Sequence, residues 1–189
     1  MPHMDSLLPE RVEPLLTGRL GRPYRYLESC GSTQRELTDA DVEGTVVAAG
    51  HQTEGRGRLG RTWEDQPGTS LLFSLLLRPP VPAERLPELT VLAADAVAEA
   101  VGGQVKEPND VLLGGRKVAG VLGEASEGRV VLGIGVNANQ TAGQLPPATR
   151  LPATSLHVER GAPVDRAELL AAILAALERR YEAWLSGGS

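Results

Sequence analysis

Between Thr53 and Trp63 the chain reads Thr-Glu-Gly-Arg-Gly-Arg-Leu-Gly-Arg-Thr-Trp, with glycines at 55, 57 and 60 and arginines at 56, 58 and 61. Glycine permits positive φ and close backbone approach, so successive N–H groups can converge on an anion. Arginine adds a rigid fork of donors suited to phosphate or carboxylate oxygens. The pattern describes a cationic loop that orders around an anionic ligand. It equally fits a Gly–Arg segment on RNA or a plain solvated loop, and composition does not choose among these. The cationic character is local, because 24 acidic against 19 basic residues leave a net charge of -5. Phosphate binding would therefore rest on this cluster, not on the field of the whole molecule.

Other positions carry chemistry of their own. Lys117 lies in an otherwise apolar run with Val118, Ala119, Val121 and Leu122. Burying it unpaired is costly, so it either meets an anion or reaches water beside the Gly114-Gly115 turn. Ser32, Thr33 and Gln52 can each donate and accept hydrogen bonds. Ser32 and Thr33 also precede Gln34-Arg35-Glu36-Leu37, where either hydroxyl suits a helix cap. Gly120, Gly133 and Gly135 mark bulges or places where a ligand approaches strand backbone. Cys30 is the single cysteine, so no intramolecular disulfide or cysteine-based zinc site can form, and a buried or half-buried free thiol is expected. His3, His51 and His157 are scattered and read as structural or exposed. A nucleophile elbow, a His-Glu-x-x-His helix motif and an NTPase phosphate loop are all absent.

These residues need a scaffold. The 189 residues, 41% apolar and 23% charged, suit one globular domain, 1–189, with an N-terminal helix and linker over 1–23 and a core over 24–186. Gly44 to Gln52 and Ser70 to Leu77 read as buried strands. Pro82 to Val101 has helical spacing, with Leu86, Leu89, Leu92, Ala93, Ala96 and Val97 on one stripe. Strands near Val105, over Val111 to Leu113 and over Lys117 to Ala125 follow, with Gly114-Gly115 as a hairpin turn. Arg129 to Val136 pairs back across Glu127-Gly128. Asp165, with Glu168 three residues on, opens a final helix in capping-box fashion, and Leu169, Ile173, Ala176, Leu177 and Tyr181 form its stripe. The fold class is α+β, a mixed, mostly antiparallel sheet backed by helices.

The order of motifs resembles the biotin protein ligases, from about Gly31 to Leu185. Gly-Arg-Gly-Arg-x-Gly-Arg-x-Trp after Gln52 is similar to the family's signature loop. Gly31-Ser32-Thr33-Gln34 resembles its Ser-Thr-Asn region, and Lys106-Glu107-Pro108-Asn109-Asp110 its Lys-Trp-Pro-Asn-Asp motif. Gly115-Arg116-Lys117-Val118-Ala119-Gly120-Val121-Leu122, Gly133-Ile134-Gly135-Val136-Asn137-Ala138-Asn139 and Ala153-Thr154-Ser155-Leu156 fit its later strands. The resemblance implies a biotin/lipoate ligase-like catalytic domain that activates biotin with ATP and passes it to a carrier lysine. It implies Arg58 and Lys117 as catalytic residues. Ser32, Thr33, Gln34, Gln52, Arg56, Gly57, Arg58, Lys117, Gly120 and Gly133 would bind biotin. Arg58, Arg61, Trp63, Asn109, Lys117 and Asn137 would bind ATP and the adenylate, with Mg2+ near Asn109 and Asn137. Trp63 also suits a core anchor, and Asp110 suits holding this corner together or receiving the carrier lysine's proton.

Glu107 departs from the family's tryptophan and sets a carboxylate near two anionic substrates, or else points to water. About thirty residues precede Gly31, so a DNA-binding domain and a DNA partner are not expected, nor is a C-terminal β-barrel. With no apolar run of signal-peptide or membrane-span length, a cytoplasmic protein with no membrane partner is expected. The implied partner is a biotin carboxyl carrier domain of the acetyl-CoA carboxylase type, and the implied assembly a monomer or homodimer. Rival readings are a lipoate- or octanoate-handling ligase of related fold, a catalytically weak biotin-binding relative, and an RNA-binding module using Arg56, Arg58 and Arg61. The 3% aromatic content disfavours the last, because single-strand binders stack bases on aromatic platforms.

Overall fold

The computed structural model describes residues 5–147 and 150–187. Its seven strands are β1 (Tyr24–Leu27), β2 (Val46–Ala49), β3 (Ser70–Leu77), β4 (Gln104–Lys106), β5 (Asp110–Leu113), β6 (Arg116–Ser126) and β7 (Arg129–Asn137). They form one sheet in the order β1-β2-β3-β7-β6-β5-β4. Only β1–β2 is parallel among these pairings, so the mixed, mostly antiparallel sheet expected from the sequence is the one found. The helices are α1 (Pro9–Val12), α2 (Glu88–Val101), α3 (Leu156–Arg160) and α4 (Arg166–Leu185).

Strand alternation gives the sheet two unlike faces. Val46, Ala48, Leu71, Phe73, Leu75, Leu132, Ile134 and Val121 point to one side and pack with the apolar stripes of α2 and α4. Burying each large side chain there contributes about 1.5–3 kcal/mol, and this is the main core. The opposite face carries a small cluster of Leu37, Val47, Leu76 and Val131 and, beside it, a column of small residues described below.

Local chemistry explains the turns and caps. Gly114 (φ 58°) with Gly115 (φ 75°), and Glu127 (φ 49°) with Gly128 (φ 74°), place two successive residues at positive φ, as tight hairpins with the sheet's twist require. Asp165 accepts from the backbone N–H of Ala167 and Glu168, while Glu168 approaches Arg11 instead of completing the expected box. The predicted helix over 82–101 is divided. A single 3-10 turn spans Ala83–Arg85, and α2 begins after Pro87, since proline has no N–H for the ladder of a continuous helix. The predicted strand over 44–52 shortens to Val46–Ala49. Neither Ser32 nor Thr33 caps a regular helix: Thr33–Glu36 is a 3-10 turn without a side-chain cap. No described helix is long and apolar enough to cross a membrane.

Candidate active site

The floor of the site is built from missing side chains. On the face away from α2 and α4, Leu72 of β3, Gly135 of β7 and Gly120 of β6 lie side by side, as do Ser74, Gly133 and Leu122. Above them opens a cavity of about 380 Å³. A Cβ on Gly135 would sit 2.8 Å from Cε2 of Trp63, and one on Gly133 would sit 2.7 Å from Cδ of Gln34. The strands are glycine here because the protein's own Trp63 and Gln34 side chains lie directly on their backbone.

One end of the floor is polar and uncharged. Thr33 donates its backbone N–H to Gln52 Oε1 at 2.7 Å, and its hydroxyl lies 3.0 Å from the same oxygen and 2.7 Å from Ser74 Oγ. Gln34 Nε2 donates to the Leu122 carbonyl at 3.0 Å. Ser32 is buried. Cys30 pairs as an isolated parallel bridge with Gln52, extending the β1–β2 register to the cavity. Burial pushes the Cys30 thiol up to about 11, with the negative charges of Glu36 and Asp65 adding to the effect. It is a half-buried free thiol.

The other end is cationic. Residues 55–63 fold as a narrow hairpin in which Gly57 N–H donates to Arg61 O at 2.7 Å and Trp63 N–H to Gly55 O at 3.0 Å. The tip is Leu59, at φ 58° and 83% exposed. Arg56 pairs with Glu124 on β6 at 2.6 Å. Arg58 and Arg61 line the cavity and have no ion-pair partner among the described residues, so their charge is available to an anion. Lys117 Nζ lies 2.8 Å from Asp110 Oδ1 and 5.7 Å from the Trp63 ring centroid. It would also stand 3.5 Å from a Cβ on Gly120. Lys117 is thus neither buried unpaired nor free at a strand edge. It is held at the floor by Asp110, and its strand is anchored by Lys117 N–H to Pro152 O (2.8 Å) and Thr154 N–H to Lys117 O (2.9 Å).

The cavity brings together all of the residues named from the sequence: Ser32, Thr33, Gln34, Gln52, Arg56, Gly57, Arg58, Arg61, Trp63, Asn109, Lys117, Gly120, Gly133 and Asn137. Asn109 and Asn137 are also bonded within the protein. Asn109 Nδ2 donates to the Val121 carbonyl at 3.0 Å. Asn137 Nδ2 donates to the Thr154 carbonyl at 3.1 Å, and its Oδ1 accepts from Gln140 Nε2 at 3.2 Å. Gln140 in turn bonds Ser70, whose carbonyl accepts from the buried Arg166. Asn137 therefore fixes a wall. Both amides bond to backbone carbonyls through Nδ2, and Asp110 is paired to Lys117. Among the described residues no group of three His, Cys, Asp or Glu could hold a metal.

Sequence reasoning missed part of the far wall. Pro146, Pro147, Arg150 and Leu151 line the cavity from an irregular segment with no periodic signal, brought in by the pairing of Lys117 with Ala153. Glu107 also lines the cavity and is exposed. His51 contacts Asp65 and His157 approaches the Asn139 carbonyl; His3 lies outside the described residues.

Residues 29–142 match the model of the Biotin/lipoate A/B protein ligase family. Over 189 aligned residues the chain is 40% identical to the bifunctional ligase/repressor BirA of Bacillus spizizenii, covering 92% of this chain and 58% of that protein. It is 34% identical to the biotin–[acetyl-CoA-carboxylase] ligase of Mycobacterium tuberculosis, covering 97% of this chain and 76% of that protein. The solved biotin protein ligase of Aquifex aeolicus in complex with biotin and ATP superposes with a TM-score of 0.77 at 35% identity, covering 86% of this chain and 72% of that one. The chain thus spans under two thirds of the length of the Bacillus relative.

Proposed function

This chain belongs to the biotin/lipoate A/B protein ligase family, and from that premise we propose that it is an ATP-dependent biotin–[carrier protein] ligase. The observation that carries the reading is the polarity of one cavity. Neutral hydrogen-bonding groups (Ser32, Thr33, Gln34, Gln52) stand at the Gly133 end, and unneutralised cations (Arg58, Arg61) with Lys117 border the other. A substrate with an uncharged polar head and a carboxylate tail fits that axis, with its tail at Lys117.

In the first step a biotin carboxylate oxygen attacks the α-phosphorus of ATP, the bond to the β-phosphate bridging oxygen breaks, and pyrophosphate leaves. Both reactants are anions, so the cationic end offsets their repulsion and the charge that builds on the phosphoryl oxygens. Lys117 bridges carboxylate and phosphate, and Arg58 with Gly57 holds the acyl phosphate. Arg61 and Trp63 cover the nucleotide, while Asn109 and Asn137 hold the walls. Magnesium arrives with the ATP phosphates, as part of the substrate. In the second step the amine of a carrier lysine attacks the acyl carbon, AMP leaves, and the amine gives up a proton, for which Asp110 is a carboxylate in the cavity lining. The carrier is a biotin carboxyl carrier domain. The exposed position of Glu107 favours full activity over a purely binding relative, since a solvated carboxylate repels the substrates little.

The test is biotin- and ATP-dependent pyrophosphate release, followed by transfer of labelled biotin to an isolated carrier domain. Release with transfer is expected. Biotin binding without release would reduce the protein to a binding relative, and release with lipoate or octanoate but not biotin would move it to the related ligases.

A further inference from the structure

Outside the cavity, two side chains meet across the stems of the Gly–Arg loop. His51 immediately precedes Gln52, and Asp65 follows Trp63 by two residues. His51 Nδ1 lies 2.9 Å from Asp65 Oδ2, with side-chain exposures of 29% and 1%. Neither residue lines the cavity. The other Asp65 oxygen, Oδ1, is buried and has no hydrogen-bond partner among the described residues. A nearly buried carboxylate satisfied at only one oxygen depends strongly on the single group that satisfies it.

The backbone around the pair is arranged as a seam. Gly68 N–H donates to Gly50 O at 3.0 Å on one side, and Cys30 N–H to His51 O at 3.1 Å on the other. Beyond it the two stems run separately until Trp63 N–H reaches Gly55 O. The stem residues next to the pair do different jobs: Gln52 meets Thr33, and Trp63 lies over Gly120 and Gly135. The spacing between those two sides of the cavity is therefore set where His51 and Asp65 touch.

We infer that His51 and Asp65 are positioning residues, a clasp that fixes the two stems of the binding loop so that Gln52 and Trp63 face the cavity at a set separation. The clasp itself stands on the geometry; what it serves, biotin and ATP binding, rests on the proposed function above. Neither residue touches the reacting atoms. Without the clasp the loop must be ordered by the ligand, so substrate affinity falls while the chemistry of the bound state is kept.

Trypsin reads the loop directly, because Arg56, Arg58 and Arg61 are exposed cleavage sites that are cut faster when the hairpin opens. Loss of one hydrogen bond to a buried charge should speed the initial nicking between 56 and 61, followed by intact mass, about tenfold in His51→Ala. His51→Gln, whose amide can donate to the same carboxylate, should restore slow nicking. Asp65→Ala should nick like His51→Ala, and the double variant no faster than either. In steady state, His51→Ala should raise KM for biotin and ATP with kcat nearly unchanged. Unchanged loop nicking in His51→Ala overturns the clasp, as does accelerated cleavage across the whole chain that His51→Gln does not reverse. If Asp65→Ala fails to fold, the His51 pair of variants still decides. The nicking assay needs no ligand, so a wild-type protein that releases no pyrophosphate would remove the ligase reading and leave the clasp result standing.

Discussion

Gly135→Ala separates a floor that serves the ligand from one that serves only the strand. Gly135 sits in β7 between Leu72 and Gly120 and is not among the glycines at positive φ. Alanine therefore adopts its backbone freely and stabilises by about 0.4–1 kcal/mol through the unfolded chain. Against this, the new Cβ would lie 2.8, 2.9 and 3.2 Å from Cε2, Cζ2 and Cδ2 of Trp63. Carbon atoms rest at about 3.5–4.0 Å, so something must move by roughly 0.7–1.2 Å. The strands cannot, being paired on both sides. Trp63 can, because it is half-buried at the end of a loop. Stability should stay within about 1 kcal/mol of wild type, a shift of about 2–4 °C in melting temperature for a chain of this size. A displacement of about 1 Å in a substrate-covering group costs on the order of 10²-fold in rate. Scanning calorimetry and single-turnover pyrophosphate release measure the two quantities. The Gly135→Ala/Trp63→Ala double variant should lose no more than Trp63→Ala alone, since the effect passes through the ring. A wild-type single-turnover rate, or losses that add, would refute the close-approach account of the floor.

Three further outcomes follow from the geometry. Lys117→Met should change stability by no more than about 1 kcal/mol, because the pair with Asp110 is partly exposed, yet slow adenylate formation by on the order of 10²–10³; a near-normal single-turnover rate would remove Lys117 from the chemistry. Glu107→Trp should alter kcat/KM for ATP by no more than about twofold, as expected of an exposed position, whereas a tenfold gain would show that the carboxylate repels substrate. Cys30, with its thiol near 11, stays protonated at neutral pH. Its alkylation by iodoacetamide at pH 7.5 should be about a hundredfold slower than that of an unperturbed cysteine and should rise as pH climbs toward 11. Rapid labelling at pH 7.5 would contradict its burial.

Much of the scaffold was legible because its signals are local. Gly114-Gly115 and Glu127-Gly128 announce their hairpins, Ser70 to Leu77 is an unbroken apolar run, and Asp165 marks the start of α4. Tyr24–Leu27 escaped because four residues give too little alternation, and its parallel partner β2 lies 22 positions on. Leu156–Arg160 is too short to show a stripe. In the site, glycines inside strands and arginines between glycines are unusual enough to stand out by type alone. Arg150 and the paired prolines were invisible because an irregular segment enters the cavity only by tertiary contact. The same holds for Asp65, whose bond to His51 spans 14 positions and has no spacing rule. Arg56 shows the limit of residue type: its guanidinium is engaged by Glu124, a partner that no motif contains.

The strand order bears on how this protein must fold. β1, β2 and β3 assemble within the first part of the chain, and β4 to β7 form an antiparallel meander within the next. Within the sheet the two units join where β3 meets β7, in a pairing that runs from Ser70–Asn137 to Leu77–Val130. That junction closes a long intervening stretch and is the slow kind of contact to make. The cavity floor straddles it, with Leu72 and Ser74 on one bank and Gly135 and Gly133 on the other. Neither unit alone holds the floor, so ligand binding reports that this long-range pairing is in place, and a ligand present during refolding stabilises the joined state alone.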